Sequence, residues 1–271
     1  MLFKMLHHQP GLFVTPNPWD AGSARILEAL GFKALATTSA GLAFSLGKPD
    51  AHAAVTRSET LSNAENIVLA TSLPVSADLE NGYGDEPLHC AETIILAAGA
   101  GLSGGSIEDA TGNTGNPIYP FELAVERIKA AAEAAHSLPH PFTLTARAEN
   151  LLYGRTDLND TIRRLVAFAD AGADVLFAPG LKTRNEIEAV VNAVAPRPVN
   201  VLMALTGQQL SLTELEDLGV RRVSVGSSLM RVAYGGFIKA AEEIARKGSF
   251  DYAGEAWPYA ALNDLFAVSY S

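Results

Sequence analysis

The sequence predicts an α/β protein folded as a (β/α)8 barrel, also called a TIM barrel. Short apolar or β-branched runs alternate with amphipathic stretches along almost the whole chain, which is the rhythm of βα units. Eight units of about 34 residues suit a barrel of roughly 250 residues. A doubly wound open sheet is the competing architecture. In both folds the chemistry is expected at the carboxyl ends of the strands.

The predicted strands are short and bounded by turn-forming residues. In chain order they cover residues 12–15, 34–39, 74–80, 101–109, 142–149, 174–179, 198–203 and 221–226. Helical stretches lie between them: Leu158, Ile162 and Leu165 recur at helical spacing, and Gly172 supplies the stop. No linker or change of composition divides the series, so we expect one barrel domain over residues 1–271, with a helical extension at its C-terminus.

The composition excludes several classes of function. A formal charge of −10 and a pI near 5.1 leave no basic stripe for nucleic acid. No apolar run approaches the roughly 20 residues that span a bilayer, and the N-terminus has too short an apolar stretch for a signal peptide. The single Cys90 allows no internal disulfide and fits a reducing compartment. We therefore expect a cytoplasmic protein that binds neither nucleic acid nor membrane.

Acidic residues end two consecutive predicted strands. Asp78 and Glu80 lie two apart and would share one face of the third strand, while either Glu108 or Asp109 would face inward from the fourth. Neighbouring strands are about 5 Å apart, so three carboxylates would converge. Clustered anions need protons or a cation between them, and an all-oxygen set of ligands suits Mg²⁺. The alternative is that these acids cap helices or pair with cations on the rim.

The fifth strand places Thr143, Thr145, Arg147 and Glu149 on one face, which we expect to be the barrel interior. Arg147 near the strand end would then be available to a carboxylate or a developing enolate. Its alternative role is a structural ion pair with Glu149 or with the acidic trio.

The second strand runs into a turn of small residues, Ser39, Ala40 and Gly41. A hydroxyl and backbone N–H groups there could bind a carboxylate, although a plain turn explains the same residues. The six histidines show no ligand spacing, so neither a zinc site nor a Ser–His–Asp triad is indicated.

Six stretches, taken in order, resemble the isocitrate lyase and phosphoenolpyruvate mutase superfamily. They read NPWDAGSARILEALGF, TTSAGLAFSLGKPD, SADLENGYGD, SIEDATG, TARAEN and AFADAGADVLFAPG, and they extend over residues 17–230. The resemblance implies a (β/α)8 barrel, usually tetrameric, whose last helix is exchanged between subunits. It also implies cleavage or formation of a C–C or C–P bond beside a 2-oxo acid, through an enolate.

The resemblance also implies roles for individual residues. Asp78 would contact Mg²⁺, and Glu80 and Glu108 would hold its waters. Ser39, Ala40 and Gly41 match the turn that binds the substrate carboxylate. Asp50 matches an acid of the second βα loop, and Arg147 matches the active-site arginine.

The chain departs from the superfamily in the loop after the fourth strand. Isocitrate and methylisocitrate lyases carry a Lys-Cys-Gly-His type segment there, and mutases carry a lysine followed by Asn. This chain reads EDATGNTGNPIYP, in which Asn116 could stand in for the mutase Asn and Thr114 occupies the approximate place of the lysine.

We therefore expect a Mg²⁺-dependent lyase that cleaves a C–C bond of a small 2-oxo or 2-hydroxy acid, acting as a homotetramer. Arg147, Asp50 and Asn116 are its candidate catalytic residues. Phosphonopyruvate hydrolysis, oxaloacetate hydrolysis or decarboxylation, and mutase chemistry are the alternatives within the superfamily. A barrel that binds a 2-oxo acid without turning it over is the alternative of another class.

Overall fold

The computed structural model describes residues 2–50, 54–203 and 209–267 and has the predicted architecture. Eight strands pair in parallel in the order β1-β8-β7-β6-β5-β4-β3-β2. They are β1 Phe13–Thr15, β2 Leu35–Ala36, β3 Val75–Asp78, β4 Gly104–Glu108, β5 Thr143–Arg147, β6 Val175–Phe177, β7 Val199–Leu202 and β8 Arg222–Ser224. The Ala36 N–H donates to Pro16 O over 3.1 Å and links the two end strands. The sheet is thus a nearly closed barrel, and the open-sheet alternative is excluded.

Every observed strand lies inside a predicted one but is shorter. The second strand was expected to continue to residue 39 and ends at Ala36. Thr38 is the N-cap of the next helix and its side chain accepts from the Gly41 N–H over 3.2 Å, so Ser39 already begins that helix.

The helices alternate with the strands as the sequence predicts. They are α1 Leu2–Leu6, α2 Ala21–Ala29, α3 Ser39–Ser45, α4 Arg57–Leu69, α5 Pro87–Gly99, α6 Phe121–Ser137, α7 Leu158–Asp170, α8 Arg184–Val194, α9 Leu212–Asp217, α10 Ser228–Lys247 and α11 Tyr259–Ala267. Capping boxes at Asp20, Thr56, Thr183 and Ser211 fix the first residues of four of them. Their apolar faces pack against the outside of the barrel, where Leu35, Ile107 and Leu144 are fully buried.

The inside of the barrel is polar. It contains the buried residues Thr15, Ser76, Ser106, Thr145, Asn200, Arg222 and Ser224. Barrels of this class are more often filled by branched apolar residues. A polar interior leaves room for water or for a polar ligand beneath the strand ends.

Helix α1 closes the amino end of the barrel. Phe3 is buried with Phe13, at the start of β1, and its ring lies against Gly104, at the start of β4. A Cβ at Gly104 would come within 2.9 Å of the Phe3 ring and 2.7 Å of Thr143 O, so only glycine allows this contact.

No helix among the described residues is both long and apolar enough to cross a membrane. Of the apolar C-terminal stretch 259–270, residues Tyr259–Ala267 form α11, and 268–270 lie outside the described residues.

Candidate active site

Arg147 is the centre of an acidic cluster at the carboxyl end of the barrel. Its Nη1 donates to Asp78 Oδ1 over 2.7 Å, and its Nη2 lies 3.2 Å from Glu108 Oε2 and 2.8 Å from Glu149 Oε1. The guanidinium also lies 5.2 Å from the centre of the Phe177 ring. The predicted convergence of Asp78 and Glu108 is present, and one cation is shared by three carboxylates.

Glu108 and Asp109 face opposite ways, as expected for neighbours on a strand end. Glu108 faces Arg147, whereas Asp109 accepts from Arg164 Nη1 over 3.0 Å on the helix side. Asp109 Oδ1 also accepts from the Glu149 N–H over 2.7 Å. Asp109 therefore supports the segment that carries Glu149 and is not a member of the cluster.

Glu80 reaches the cluster by a turn and not by strand alternation. Strand β3 ends at Asp78, and Glu80 has a φ of 47°, in the left-handed region that residues other than glycine seldom adopt. Its N–H donates to Asp78 Oδ1 over 3.2 Å, while its carbonyl accepts from the Glu108 N–H over 2.9 Å. These two hydrogen bonds stabilise the strained turn. Glu80 therefore lies near Asp78 as expected, but the reason given for it, strand alternation, was wrong.

The carboxylates differ in their affinity for protons. Burial, with the charges of Asp78 and Asp50, raises the pKa of Glu80 to about 7. Burial raises the pKa of Glu108 well above its usual range, with Glu149, Asp78 and Glu80 adding to the effect against Arg147. For Asp78, burial is outweighed by Arg147 and by the hydrogen bond from Ser39, so its pKa is lowered. The cluster carries more negative charge than Arg147 neutralises.

These residues fit a divalent cation of the magnesium type. The donors are all carboxylate oxygens, and a dication would offset the neighbouring negative charges that, in addition to burial, raise the pKa of Glu80 and Glu108. In residues 2–50, 54–203 and 209–267, no three acidic, histidine or cysteine side chains are close enough together to ligate one ion directly. An ion held here would therefore have to keep several of its waters, as Mg²⁺ usually does.

Two cavities flank the cluster. The inner cavity, of about 90 Å³, lies within the barrel mouth and is lined by Thr15, Asn17, Asp78, Arg147, Asn200 and Arg222, among others. The outer cavity, of about 540 Å³, lies between the loops and is lined among others by Arg57, Glu80, Tyr83, Glu108, Thr111 and Tyr153. A small molecule between them would contact both Arg147 and the carboxylates.

The other predicted site residues differ in how close they lie to the acidic cluster. Ser39 Oγ donates to Asp78 Oδ2 over 2.9 Å, so the small-residue turn does reach the cluster. The Gly41 N–H is already bonded to Thr38, and Ala40 lies between them in the first turn of α3. Asp50 is exposed but near enough for its charge to raise the pKa of Glu80. Asn116 is exposed on its loop and lines neither cavity.

Sequence reasoning missed two residues of this region, Tyr153 and Arg222. Tyr153 lies in the loop after β5 and lines the outer cavity beside Glu108; no strand-end pattern marks it. Arg222 is the first residue of β8, directly after Arg221, and this strand is too short for its alternation to be read alone. The signal that existed for Arg222 was its shared face with Ser224, the same polar alternation that identified Arg147 in β5.

In (β/α)8 barrels the active site lies at the carboxyl ends of the strands, where this chain has an arginine and several carboxylates. The fold and the site together are those of an enzyme. The chain matches the phosphoenolpyruvate phosphomutase family over residues 3–245 and belongs to it. It is thereby an enzyme of the isocitrate lyase/PEP mutase superfamily, whose members include carbon–carbon lyases and mutases acting on small carboxylic acids.

Three proteins illustrate how similar this chain is to other members of the superfamily. A Burkholderia cenocepacia J2315 protein, provisionally described as a lyase or mutase, is 57% identical with a TM-score of 0.95, over 98% of this chain and 95% of that one. A 2,3-dimethylmalate lyase is 29% identical with a TM-score of 0.87, over 97% and 92% of the two chains. An oxaloacetate decarboxylase of Bradyrhizobium diazoefficiens is 34% identical over 75% of this chain and 73% of that protein.

Proposed function

We propose that the protein is a Mg²⁺-dependent lyase that cleaves a C–C bond of a small 2-oxo or 2-hydroxy acid beside its carboxylate, through an enolate. The observation that carries this proposal is the contact of one guanidinium, Arg147, with Asp78 and Glu108 where a cavity opens at the strand ends. This arrangement presents a cation to an oxygen that becomes negative during bond cleavage.

The chain's own residues supply binding and orientation. Arg147 lines the inner cavity and can donate to the substrate carbonyl oxygen and then to the enolate oxygen. Ser39 Oγ, at the start of α3, donates to Asp78. We expect the substrate carboxylate to bind here and to accept from the N–H groups of Ser39 and Ala40. Glu149 holds Arg147 in place through Oε1.

Asp78, Glu80 and Glu108 would hold the magnesium ion, Asp78 directly and the two glutamates through its waters. When bound, the ion supplies Lewis-acid polarisation of the substrate oxygens. Its absence would leave Arg147 as the single cation facing Asp78, Glu108 and Glu149 among the described residues.

Protonation of the departing carbon needs a donor that the loop after β4 does not supply. Thr111 and Gly112 reach the outer cavity, and neither titrates near neutral pH. Tyr153 lines the same cavity, and burial, with the charges of Glu108 and Glu149, raises its pKa to about 12. Its phenol stays protonated at neutral pH but is a weak acid, so we propose Tyr153 as a proton donor that suffices only for an easily protonated carbanion.

The relation to an oxaloacetate decarboxylase supports a substrate whose carbanion is easily protonated. The test is pyruvate release from oxaloacetate, methylisocitrate and phosphonopyruvate in the presence of Mg²⁺, with glyoxylate release from isocitrate assayed in parallel. Turnover of oxaloacetate or a similar activated acid is expected. Isocitrate and methylisocitrate should be poor substrates because the loop after β4 carries no acid that titrates near neutral pH, and loss of such a general acid costs about 10²–10⁴-fold. No turnover of any of these acids would contradict the proposal.

The protein is also proposed to be a cytoplasmic homotetramer. Apolar side chains of α10 and of the segment up to α11 are exposed: Val232 is 64% exposed, Phe237 69% and Trp257 70%. Such a face favours burial against another subunit. Light scattering at micromolar concentration should give about four times the chain mass of 28.6 kDa, and a monomer mass would contradict the proposal.

A further inference from the structure

Arg222 lies inside the barrel and donates only to neutral partners. Its Nε donates to Asn200 Oδ1 over 2.9 Å, and its Nη2 donates to Thr145 Oγ1 over 3.0 Å. Its Nη1 lies 3.3 Å from His7 Nε2. His7 Nδ1 is 2.9 Å from Phe3 O and donates to it, so Nε2 carries the lone pair and His7 is the neutral acceptor.

The positive charge of Arg222 is not compensated. Among the described residues no carboxylate forms an ion pair with it, whereas Arg147 is paired with Asp78, Glu108 and Glu149. Arg222 is only 5% exposed. Burial and the charge of Arg147 lower the pKa of Arg222 to about 9, which still leaves it charged at neutral pH. A buried, unpaired cation is unfavourable unless something else supplies the counter-charge.

Arg222 also forms part of the inner cavity. The cavity extends from Arg147 and Asp78 at the barrel mouth down to Arg222, with the hydroxyls of Thr15 and Ser224 between them. Its volume of about 90 Å³ and polar lining suit either water or a small anionic group. A guanidinium has five N–H groups, of which three are used here, so two remain for a ligand.

We propose that the inner cavity binds a second anionic group of the substrate on Arg222, which makes the enzyme selective for dicarboxylic over monocarboxylic acids. The inference rests on the proposed function, which places the first carboxylate at Ser39 and Ala40, with Arg147 on the neighbouring carbonyl oxygen. The second group supplies the counter-charge that the protein lacks, in the planar geometry that a guanidinium matches.

The competing explanation is that the inner cavity holds water and that Arg222 only bridges β5, β7 and α1. The two explanations differ in the effect of an apolar replacement on anion binding. Arg222→Met removes the donor to Asn200, Thr145 and His7, so a lower melting temperature fits both explanations. Only a ligand-binding arginine weakens anion binding when it is replaced.

The test is calorimetric titration of the full-length protein with malonate and succinate as dicarboxylate probes and acetate as the monocarboxylate. Arg222→Met is compared with wild type and with Arg221→Met. Arg221 is the matched control because it precedes Arg222 in sequence, donates to Gly11 O over 3.3 Å and does not line the cavity.

We expect a dicarboxylate to bind wild type more tightly than acetate. Arg222→Met should weaken its binding by about 10- to 100-fold, the usual effect of removing a hydrogen bond to a charged group. Arg221→Met should leave it unchanged, and Arg222→Lys should retain part of it. Should Arg222→Met fail to fold, Arg222→Lys and the comparison of probes on wild type carry the test.

Equal binding of dicarboxylates and acetate by wild type, or unchanged dicarboxylate binding in Arg222→Met, would overturn the proposal, as would the binding of no anion at all. These titrations need no turnover. If dicarboxylates bind in a way that depends on Arg222 but no acid is cleaved, only the proposed function is contradicted. If an acid is cleaved with a KM that does not change in Arg222→Met, only this inference is contradicted.

Discussion

Glu149 Oε1 contacts Arg147 twice: Nε donates to it over 2.9 Å, and Nη2 lies 2.8 Å away. This pair fixes the plane of the guanidinium and directs Nη1 at Asp78. Glu149 is itself held by Asp109, which accepts from its backbone N–H and pairs with Arg164. The orientation of the active-site arginine is thus set by a chain of buried charges that extends to α7.

The first prediction concerns Glu149→Gln. The amide keeps the shape of the side chain but loses its charge, so Arg147 should be free to rotate away from Asp78. We expect kcat to fall by about 10-fold or more, since hydrogen bonds to charged groups contribute about 1.5–3 kcal/mol, with a smaller change in KM. Glu133→Gln, on the exposed face of α6, is the control. An unchanged kcat would mean that Glu149 does not position Arg147.

The second prediction concerns Arg147→Lys. An ammonium keeps the charge but loses the planar fork that reaches Asp78, Glu108 and the substrate together. The loss should appear mainly in kcat if Arg147 stabilises the enolate. Arg163→Lys, an exposed arginine paired with Asp160, should behave as wild type. A rise in KM alone would instead make Arg147 a ground-state binder of the carboxylate.

The third prediction concerns Tyr153→Phe, which removes only the hydroxyl. If the phenol protonates the departing carbon, kcat should fall by about 10²-fold or more while binding of substrate is retained. Tyr259→Phe is the control, since Tyr259 is 84% exposed on α11. If Tyr153→Phe has the kcat of the wild type, Tyr153 is not the proton donor, and water or another residue supplies the proton.

The fourth prediction concerns stability and pH. Burial, together with Arg222, lowers the pKa of His7 to about 3, so the folded protein holds His7 neutral. The unfolded chain protonates at its ordinary pKa of about 6.5, and stability should therefore fall as the pH drops from about 6.5 towards 3. At about pH 5 the loss from this residue is about 2 kcal/mol.

His7→Gln offers a donor and an acceptor without a proton that titrates, so its stability should fall less than that of wild type between pH 7 and 5, about 1.4 kcal/mol less per unit below 6.5. Urea unfolding at fixed protein concentration measures this difference. His8→Gln, at an exposed position, is the control and should follow the wild-type profile. Parallel curves for His7→Gln and wild type would show that His7 is not the group responsible.

The strands and the central residues of the site could be predicted because both depend on local patterns. Alternating polar residues in β5 identified the interior face that carries Arg147, and acids at two adjacent strand ends placed Asp78 and Glu108 together. Glu80 lies near these residues as predicted, but a left-handed turn in place of the last part of the strand positions it there.

The remaining residues depend on long-range packing more than on local patterns. Tyr153 is brought to Glu108 by the course of a loop, and loops have no periodicity to read. Arg222 shares a face with Ser224 in β8, but its place in the interior is explained by its contacts with Thr145, 77 positions earlier in the chain, and with His7 in the N-terminal segment. Asn116, chosen by resemblance, lies on the exposed side of its loop, and its catalytic role stays a prediction.

The fifth prediction concerns the metal. Oxaloacetate is the first substrate to use, and the enzyme-free rate at the same Mg²⁺ concentration is subtracted. Asp78→Asn should stay near the enzyme-free rate even with Mg²⁺ added, because the amide loses the charge that the ion requires. Asp170→Asn, an exposed acid at the end of α7, is the matched control and should retain full activity.

The central claim is that the carboxylates around Arg147 form a magnesium-dependent active site, and chelation of the wild-type enzyme tests it most directly. Pyruvate release should disappear after exhaustive treatment with EDTA and return when Mg²⁺ is restored in excess. Release that continues at the untreated rate after chelation would contradict the account.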